Sequence, residues 1–404
     1  MKIGYWLGNT SLESGGVATY AWRVLETLLM SSKLEKIEIL ILCSCEAQEQ
    51  IINLIDKYEA NARLVFIPSR FNIISRYVSR FGDLIYRLCV RYHIPHLGLK
   101  QLNYWFRWFS SLDINLLHVP YQTAPYYDLP YPLLVTMHDV QELHYPEFFT
   151  PQQRACRAEH YLKALEKCSG AIVSFNHVKQ DLIKYFRLDI NKIYVCPLTY
   201  KSINLQKPLD EEKISYQNKY KQWHNFLLYP AQTWQHKNHI ALIKAVEYLQ
   251  DKFGIVLHVV CTGRRNAGFF PVIEDYLKQS SVTDRIHFMD IVPETELYWL
   301  YKNCSLVVIP TLYEAGSFPL LEAMTLGVPV ICSSVTSLPE TIEDVRFIFN
   351  PLDIEAMAHL ILQMLENDEL RNGNILNSKN RIRELQKINS AVAFLNAYRL
   401  VLND

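Results

Sequence analysis

Residues 305–340 read SLVVIPTLYEAGSFPLLEAMTLGVPVICSSVTSLPE, and the order of residue types in that stretch decides the fold. Leu306 to Ile309 is a short apolar run rich in β-branched residues and stopped by Pro310, the mark of a strand buried on both faces. The loop Tyr313-Glu314-Ala315-Gly316-Ser317-Phe318 then leads into a helix that Pro319 can open, because a first-turn proline gives up only an amide that has no partner there. Gly327 ends that helix, and Pro329 to Cys332 reads as the next strand. The loop therefore lies at the carboxyl end of a parallel strand and against a helix amino terminus, where α/β proteins bind anions.

Two carboxylates bracket the loop, Glu314 within it and Glu322 about one turn into the helix. An acid near a helix amino terminus gains from the helix dipole, so Glu322 has a purely structural reading. A second reading joins both acids. The amides of Gly316, Ser317 and Phe318 face a diphosphate while the carboxylates accept hydrogen bonds from sugar hydroxyls, and a nucleotide sugar is held by both ends. The whole string resembles the E-x7-E segment of retaining nucleotide-sugar glycosyltransferases, glycosyltransferase family 4 in particular, down to the E-A-M, G-V-P-V and S-L-P-E that follow.

With 404 residues, half of them apolar, the chain is long enough for two domains with full cores. Its 41 basic residues balance its 41 acidic ones, so no global field draws it to nucleic acid. Nine cysteines, an odd number placed mostly in apolar runs, suit reduced thiols in a cytoplasmic protein rather than a disulfide scaffold. The pair Cys43 and Cys45 has neither a second pair nor a nearby histidine to complete a metal site. Met1 leads directly into KIGYWLG with no cleavable leader pattern, and no apolar run approaches the roughly 20 residues that span a bilayer.

Strands are expected at Ile3 to Leu7, Ile37 to Cys43, Leu64 to Ile67, Leu116 to Val119, Leu133 to Met137, Ala171 to Phe175 and Ile193 to Cys196, with helical segments between them. Gly15 and Gly16 follow the first strand and open a helix from Tyr20 to Met30; such glycines serve either an ordinary turn or a close backbone approach to a donor. There is no G-x-G-x-x-G, which argues against a dinucleotide oxidoreductase. The lysine-rich polar stretch 200–223 reads as a linker. A second series follows at Phe226 to Tyr229, Ile255 to Val260, Ile286 to Met289, Leu306 to Ile309, Val330 to Cys332 and Phe347 to Phe349. A long helical pattern closes the chain from Ser378 to Leu402.

The expected architecture is α/β, two Rossmann-like doubly wound domains in tandem with a cleft between them, which is the GT-B fold that the resemblance also implies. The boundaries are 1–199 for the acceptor domain, 200–223 for the linker, 224–377 for the nucleotide-sugar domain and 378–404 for a helix crossing back to the first domain.

The resemblance also assigns roles. His138, in Val135-Thr136-Met137-His138-Asp139, matches a histidine that faces the donor sugar; read alone it could equally cap the sheet. Asp139 would orient it. Lys237, in Tyr229-Pro230-Ala231-Gln232-Thr233-Trp234-Gln235-His236-Lys237-Asn238-His239, matches a lysine that meets the donor diphosphate. The arginine that normally precedes that lysine is missing, and Gln232 or Thr233 stands there. With no D-x-D to hold a metal, Arg264, or its neighbour Arg265, would supply the second cation, unless this is simply a solvated turn. Met289, in Phe288 to Pro293, matches the segment that lies along the nucleobase through its backbone. No metal or other cofactor is implied.

From Arg63 to Phe109 eight basic residues face a single acid, a local charge of +7, interleaved with aromatics such as Tyr104, Trp105, Phe106, Trp108 and Phe109. Arginine with aromatics suits single-stranded nucleic acid, and amphipathic helices account for part of the pattern. In a first domain of this family it suits anionic lipid, and so a polyprenyl-diphosphate-linked acceptor at the cytoplasmic face of a membrane.

The function implied is a metal-independent retaining hexosyltransferase acting on a nucleotide sugar, with mannose from GDP-mannose suggested by analogy, and a glycan or lipid-linked glycan as acceptor in surface polysaccharide synthesis. Catalysis would rest on His138 and Glu314. Donor binding would rest on Gly16, Lys237, Arg264, Met289, Gly316, Ser317, Phe318 and Glu322. The alternatives are a sugar-nucleotide epimerase or phosphorylase on the same fold, or a non-catalytic scaffold.

Overall fold

A computed structural model describes residues 1–9, 16–68, 101, 103–197, 205–223 and 225–403. Most of the basic aromatic stretch, residues 69–100 and 102, lies outside the described residues, as does Gly15.

The chain divides into two compact units, Met1–Leu198 with Asn389–Asp404, and Thr199–Ile388. In the first, seven strands form a parallel sheet in the order β3-β2-β1-β4-β5-β6-β7. They are β1 (Lys2–Gly8), β2 (Glu38–Cys43), β3 (Ala62–Phe66), β4 (Leu116–Val119), β5 (Leu133–Thr136), β6 (Gly170–Val173) and β7 (Ile193–Val195). β4, β5 and β6 are buried at every position, as central strands of a parallel sheet are when helices cover both faces. The second unit repeats the plan with β8 (Phe226–Pro230), β9 (His258–Thr262), β10 (Ile286–Phe288), β11 (Leu306–Ile309), β12 (Val330–Ser333) and β13 (Ile348–Phe349), in the order β10-β9-β8-β11-β12-β13. All pairings in both sheets are parallel.

In each sheet the winding reverses once, between β1 and β4 and between β8 and β11. The loops leaving the carboxyl ends of those neighbours run to opposite sides and open a crevice, the usual ligand site of such sheets.

The stretch 200–223, expected as a linker, carries the helix Asp210–Lys219 within the second unit. That helix stands on the helix Glu294–Asn303 through Tyr216 and Thr295, 2.9 Å apart, and through Lys219 and Glu296 at 2.7 Å. The single helix expected over 378–402 is two helices, Asp368–Lys387 and Ser390–Asn403. The first stays with the second unit because buried Asn374 bonds both peptide groups of Val330, at 2.9 and 2.8 Å. The second packs into the first unit, where the Tyr398 hydroxyl meets His118 Nδ1 at 2.7 Å, and His118 Nε2 meets Thr136 Oγ1 at 3.1 Å. Burial holds His118 neutral, its pKa pushed down to about 3.

The described cysteines are all unpaired, with only Cys45 and Cys156 exposed. Among the described residues no helix is long and apolar enough to cross a membrane.

Candidate active site

The second unit's crevice is built by the loops after β8 and β11, and these bring Lys237 and Glu314 together. Lys237 Nζ lies 2.6 Å from Glu314 Oε2, with the two side chains only 17 % and 12 % exposed. The lysine is held by a short 3-10 turn, Gln235–Lys237, whose Lys237 amide donates to Trp234 O at 2.9 Å and whose Lys237 carbonyl accepts from the buried Tyr229 hydroxyl at 2.8 Å. The two loops are stitched by His236 O, which accepts from the Leu312 amide at 2.7 Å and the Thr311 hydroxyl at 3.0 Å. Asn238, at φ 60°, reaches both Pro310 O and Pro351 O with its side-chain amide.

Glu314 is gripped from behind. The Thr336 hydroxyl accepts from the Glu314 amide at 3.0 Å and donates to the Glu314 carbonyl at 2.7 Å, and Ser337 Oγ donates to that carbonyl at 2.9 Å. Thr336 does this at φ 51°, a region that β-branched residues avoid and that clusters where geometry serves function. The expectation from sequence named Glu314 but missed Thr336 and Ser337; the signal was the polar run Ser333-Ser334-Val335-Thr336-Ser337 after a buried strand.

The helix Phe318–Leu326 begins as expected, with Pro319 in its first turn, Ser317 as N-cap and Gly327 at φ 66° after its end. Ser317 is buried, and its hydroxyl accepts from the Leu320 amide at 3.4 Å, so it caps the helix from inside. Glu322 Oε2 accepts from the hydroxyl of Tyr301 at 2.7 Å. Tyr301 is buried, and burial, with the Glu322 charge adding, keeps its hydroxyl protonated well beyond the usual range. The residue that fixes Glu322 thus comes from a different helix, and no motif marks it.

The missing arginine has a structural counterpart. Thr233 points inward, 1 % exposed, its Oγ1 accepting from the Asn266 amide at 2.7 Å. Gln232 is engaged with the indole of Trp234, whose Nε1 donates to Gln232 Oε1 at 3.0 Å. Of the two arginines expected to compensate, Arg265 is committed to Asp290 at 3.1 Å and to Phe288 O at 2.9 Å. Arg264 is exposed and has no side-chain partner among the described residues. Its loop is pressed against the β8 loop at Gly263, φ 112°, where a Cβ would lie 2.8 Å from the Ala231 carbonyl carbon. Met289 spends its amide on Cys261 O at 2.9 Å, so of its backbone groups only the carbonyl is left to meet a base.

In the first unit His138 follows β5, half-buried. Its Nε2 donates to Pro120 O at 3.0 Å, which makes Nδ1 the lone-pair nitrogen of the neutral ring. Burial pushes its pKa down to about 4 although the Pro120 carbonyl works against the shift, so the ring is neutral at pH 7. The partner expected for it, Asp139, turns elsewhere, its carboxylate 3.9 Å from Arg157. Gly16 opens the helix Gly16–Ser31, and a Cβ there would meet nothing within 4 Å.

Residues 210–381 match the family described as Glycosyl transferases group 1. The second unit carries a glycosyl transferases group 1 domain. The O-antigen chain mannosyltransferase B of Escherichia coli is 26 % identical to the chain over 282 residues, 69 % of this chain and 74 % of that one. Sucrose-phosphate synthase of Thermosynechococcus elongatus superposes with a TM-score of 0.68 at 15 % identity, covering 98 % of both chains. The Anabaena Alr3699/HepE protein, solved in complex with UDP and glucose, gives 0.64 at 16 % identity over 98 % of this chain and 100 % of that one. The two Rossmann-like units have the GT-B fold.

Proposed function

We propose that the protein is a retaining mannosyltransferase that uses GDP-mannose and extends a glycan, carried on a polyprenyl diphosphate, during surface polysaccharide synthesis. The observation that carries this reading is the pairing of Lys237 with Glu314 at the reversal point of the second sheet, with Glu322 held on the helix that starts beside them. The similarity to an O-antigen mannosyltransferase supports mannose as the sugar.

In this reading the diphosphate meets Lys237, Arg264 and the amides of Gly316, Ser317 and Phe318 at the helix start, while the Met289 carbonyl faces the base. Glu314 and Glu322 accept hydrogen bonds from sugar and ribose hydroxyls. His138, neutral, accepts a sugar hydroxyl at Nδ1 rather than acting as a cation. The acceptor oxygen attacks the anomeric carbon on the face from which the diphosphate departs, and the leaving phosphate takes the acceptor proton, so configuration is retained. Developing charge on the diphosphate is met by cationic and amide donors, which would make a metal unnecessary. The basic segment 63–109 would hold the enzyme at anionic lipid, where the acceptor is presented.

The test is a thermal-shift comparison of GDP, UDP, ADP and dTDP sugars, followed by transfer of labelled mannose to a lipid-linked glycan, since a ligand that binds only the native state raises its apparent stability. GDP-mannose should stabilise most and transfer with retention. Glu314→Ala and Glu322→Ala should each abolish most transfer while leaving the fold intact. Donor consumed without any acceptor would instead favour an epimerase or phosphorylase.

A further inference from the structure

Of the seven tryptophans in the chain, only Trp234 is exposed, at 48 %; the others are buried or half-buried. It stands three residues before Lys237, in the loop that leaves β8 at the reversal point of the sheet. That loop is hydrogen-bonded within the unit on both sides of the indole. Thr233 anchors it inward, its amide donating to Arg264 O at 3.2 Å, and the Trp234 amide donates to Gln232 O at 2.9 Å. The indole N–H is already satisfied by Gln232 Oε1. Trp234 has no aromatic or cationic partner among the described residues, and about half of the surface of this oriented apolar ring is open to solvent beside the candidate donor site.

We propose that Trp234 is the stacking platform for a hexopyranose ring of the glycan acceptor, with the side-chain amide of Gln232 donating to a hydroxyl of the same ring. The proposal rests on the glycosyl-transfer reading and names the recognition of its second substrate. A pyranose is amphipathic: its axial C–H bonds form an apolar face that fits a flat indole, and its hydroxyls lie at the edge, where Gln232 waits with two free N–H donors. The donor sugar belongs to the recessed Lys237–Glu314 pair, whereas an aromatic on the rim meets the longer ligand that arrives from solvent. The place where the family carries an arginine is thus used here to aim an aromatic ring.

The experiment has two arms. The first measures binding of an α-linked mannose trisaccharide by tryptophan fluorescence and calorimetry, with no donor present. The wild type should bind it, Trp234→Ala should lose about tenfold in affinity, and Trp234→Phe should recover most of the loss. The second measures steady-state transfer, where Trp234→Ala should raise the acceptor KM about tenfold and the donor KM less than twofold. Trp234→Leu, which keeps apolar volume without a flat ring, should behave like alanine, and matching unfolding midpoints will show that the loop is intact. A trisaccharide that the wild type does not bind, a Trp234→Leu variant as good as wild type, or a change confined to the donor KM would each overturn the proposal. Absence of any sugar-nucleotide binding by the wild type would instead sink the transferase reading, and the trisaccharide arm would still decide the role of Trp234.

Discussion

Breaking the Lys237–Glu314 pair from one side should cost the second unit more than removing both partners. Glu314→Gln keeps the shape of the side chain and deletes its charge, leaving an ammonium that is 17 % exposed facing a neutral amide. At 2.6 Å and an effective dielectric near 20 the attraction is on the order of 6 kcal/mol before desolvation is subtracted. Orphaning one member of a fully buried pair costs about 3–5 kcal/mol, whereas exposed pairs contribute under about 1. For this partly buried pair about 2 kcal/mol is expected, a drop of roughly 4–8 °C in the unfolding midpoint of a unit of about 190 residues. The double variant Glu314→Gln/Lys237→Met should recover at least half of that, because no charge is stranded. Calorimetry of the whole chain without nucleotide, resolving the transition of the second unit, measures Glu314→Gln, Lys237→Met and the double variant. GDP should also raise the midpoint of Glu314→Gln more than that of the wild type, since the anion supplies the charge that Lys237 has lost. A single variant that shifts the midpoint by less than a degree, or a double variant equal to the sum of its singles, would refute the reasoning.

Acid should weaken the second unit in a defined window. His236 and His239 are held neutral by burial, with Lys237 adding, at pKa values of about 3. The unfolded chain takes those protons near pH 6.5 and the fold refuses them, so stability is full above that pH and falls as it drops toward about 3, by up to roughly 1.4 kcal/mol per pH unit for each histidine. His239→Phe, in a site flanked by the rings of Tyr229 and Phe288, should flatten that loss, measured as the denaturant midpoint at pH 7.5 against pH 5. Thr336→Val removes both hydrogen bonds to the Glu314 backbone and should lower transfer about tenfold, with Thr336→Ser near wild type; equal rates for valine and serine would show that the grip on Glu314 is irrelevant. Tyr398→Phe strands a ring nitrogen of buried His118 and should destabilise the first unit by about 1–3 kcal/mol in denaturant unfolding. Transfer should persist in EDTA; loss restored by magnesium or manganese would show that the diphosphate site has been misread.

Local sequence settled most of the strands. Leu306–Ile309 and Leu116–Val119 form where expected, because a central parallel strand must be apolar on both faces and a proline follows each. Helix ends were less legible. The strand expected from Ile255 starts only at His258, since Gly254 adopts φ 66° and the Ile255 amide closes the preceding helix onto Leu249 O, using residues whose apolar character alone reads as strand. The tail shows the same limit: a helical pattern continues through 378–402, but nothing in its period says that Lys387 and Ser390 belong to different units. That was decided by Asn374 bonding Val330 in one and Tyr398 bonding His118 in the other.

For the candidate site, the sequence pointed to Glu314 and Glu322 because a loop between a buried strand and a helix start has a recognisable composition, and to Lys237 through the family resemblance. Only the tertiary structure decided what holds them: Thr336 behind Glu314, Tyr301 beneath Glu322, and Pro120 rather than Asp139 against His138. Those partners come from other elements, and a hydrogen bond between distant segments needs only one donor and one acceptor brought within about 3 Å, which leaves no spacing in the chain to be read.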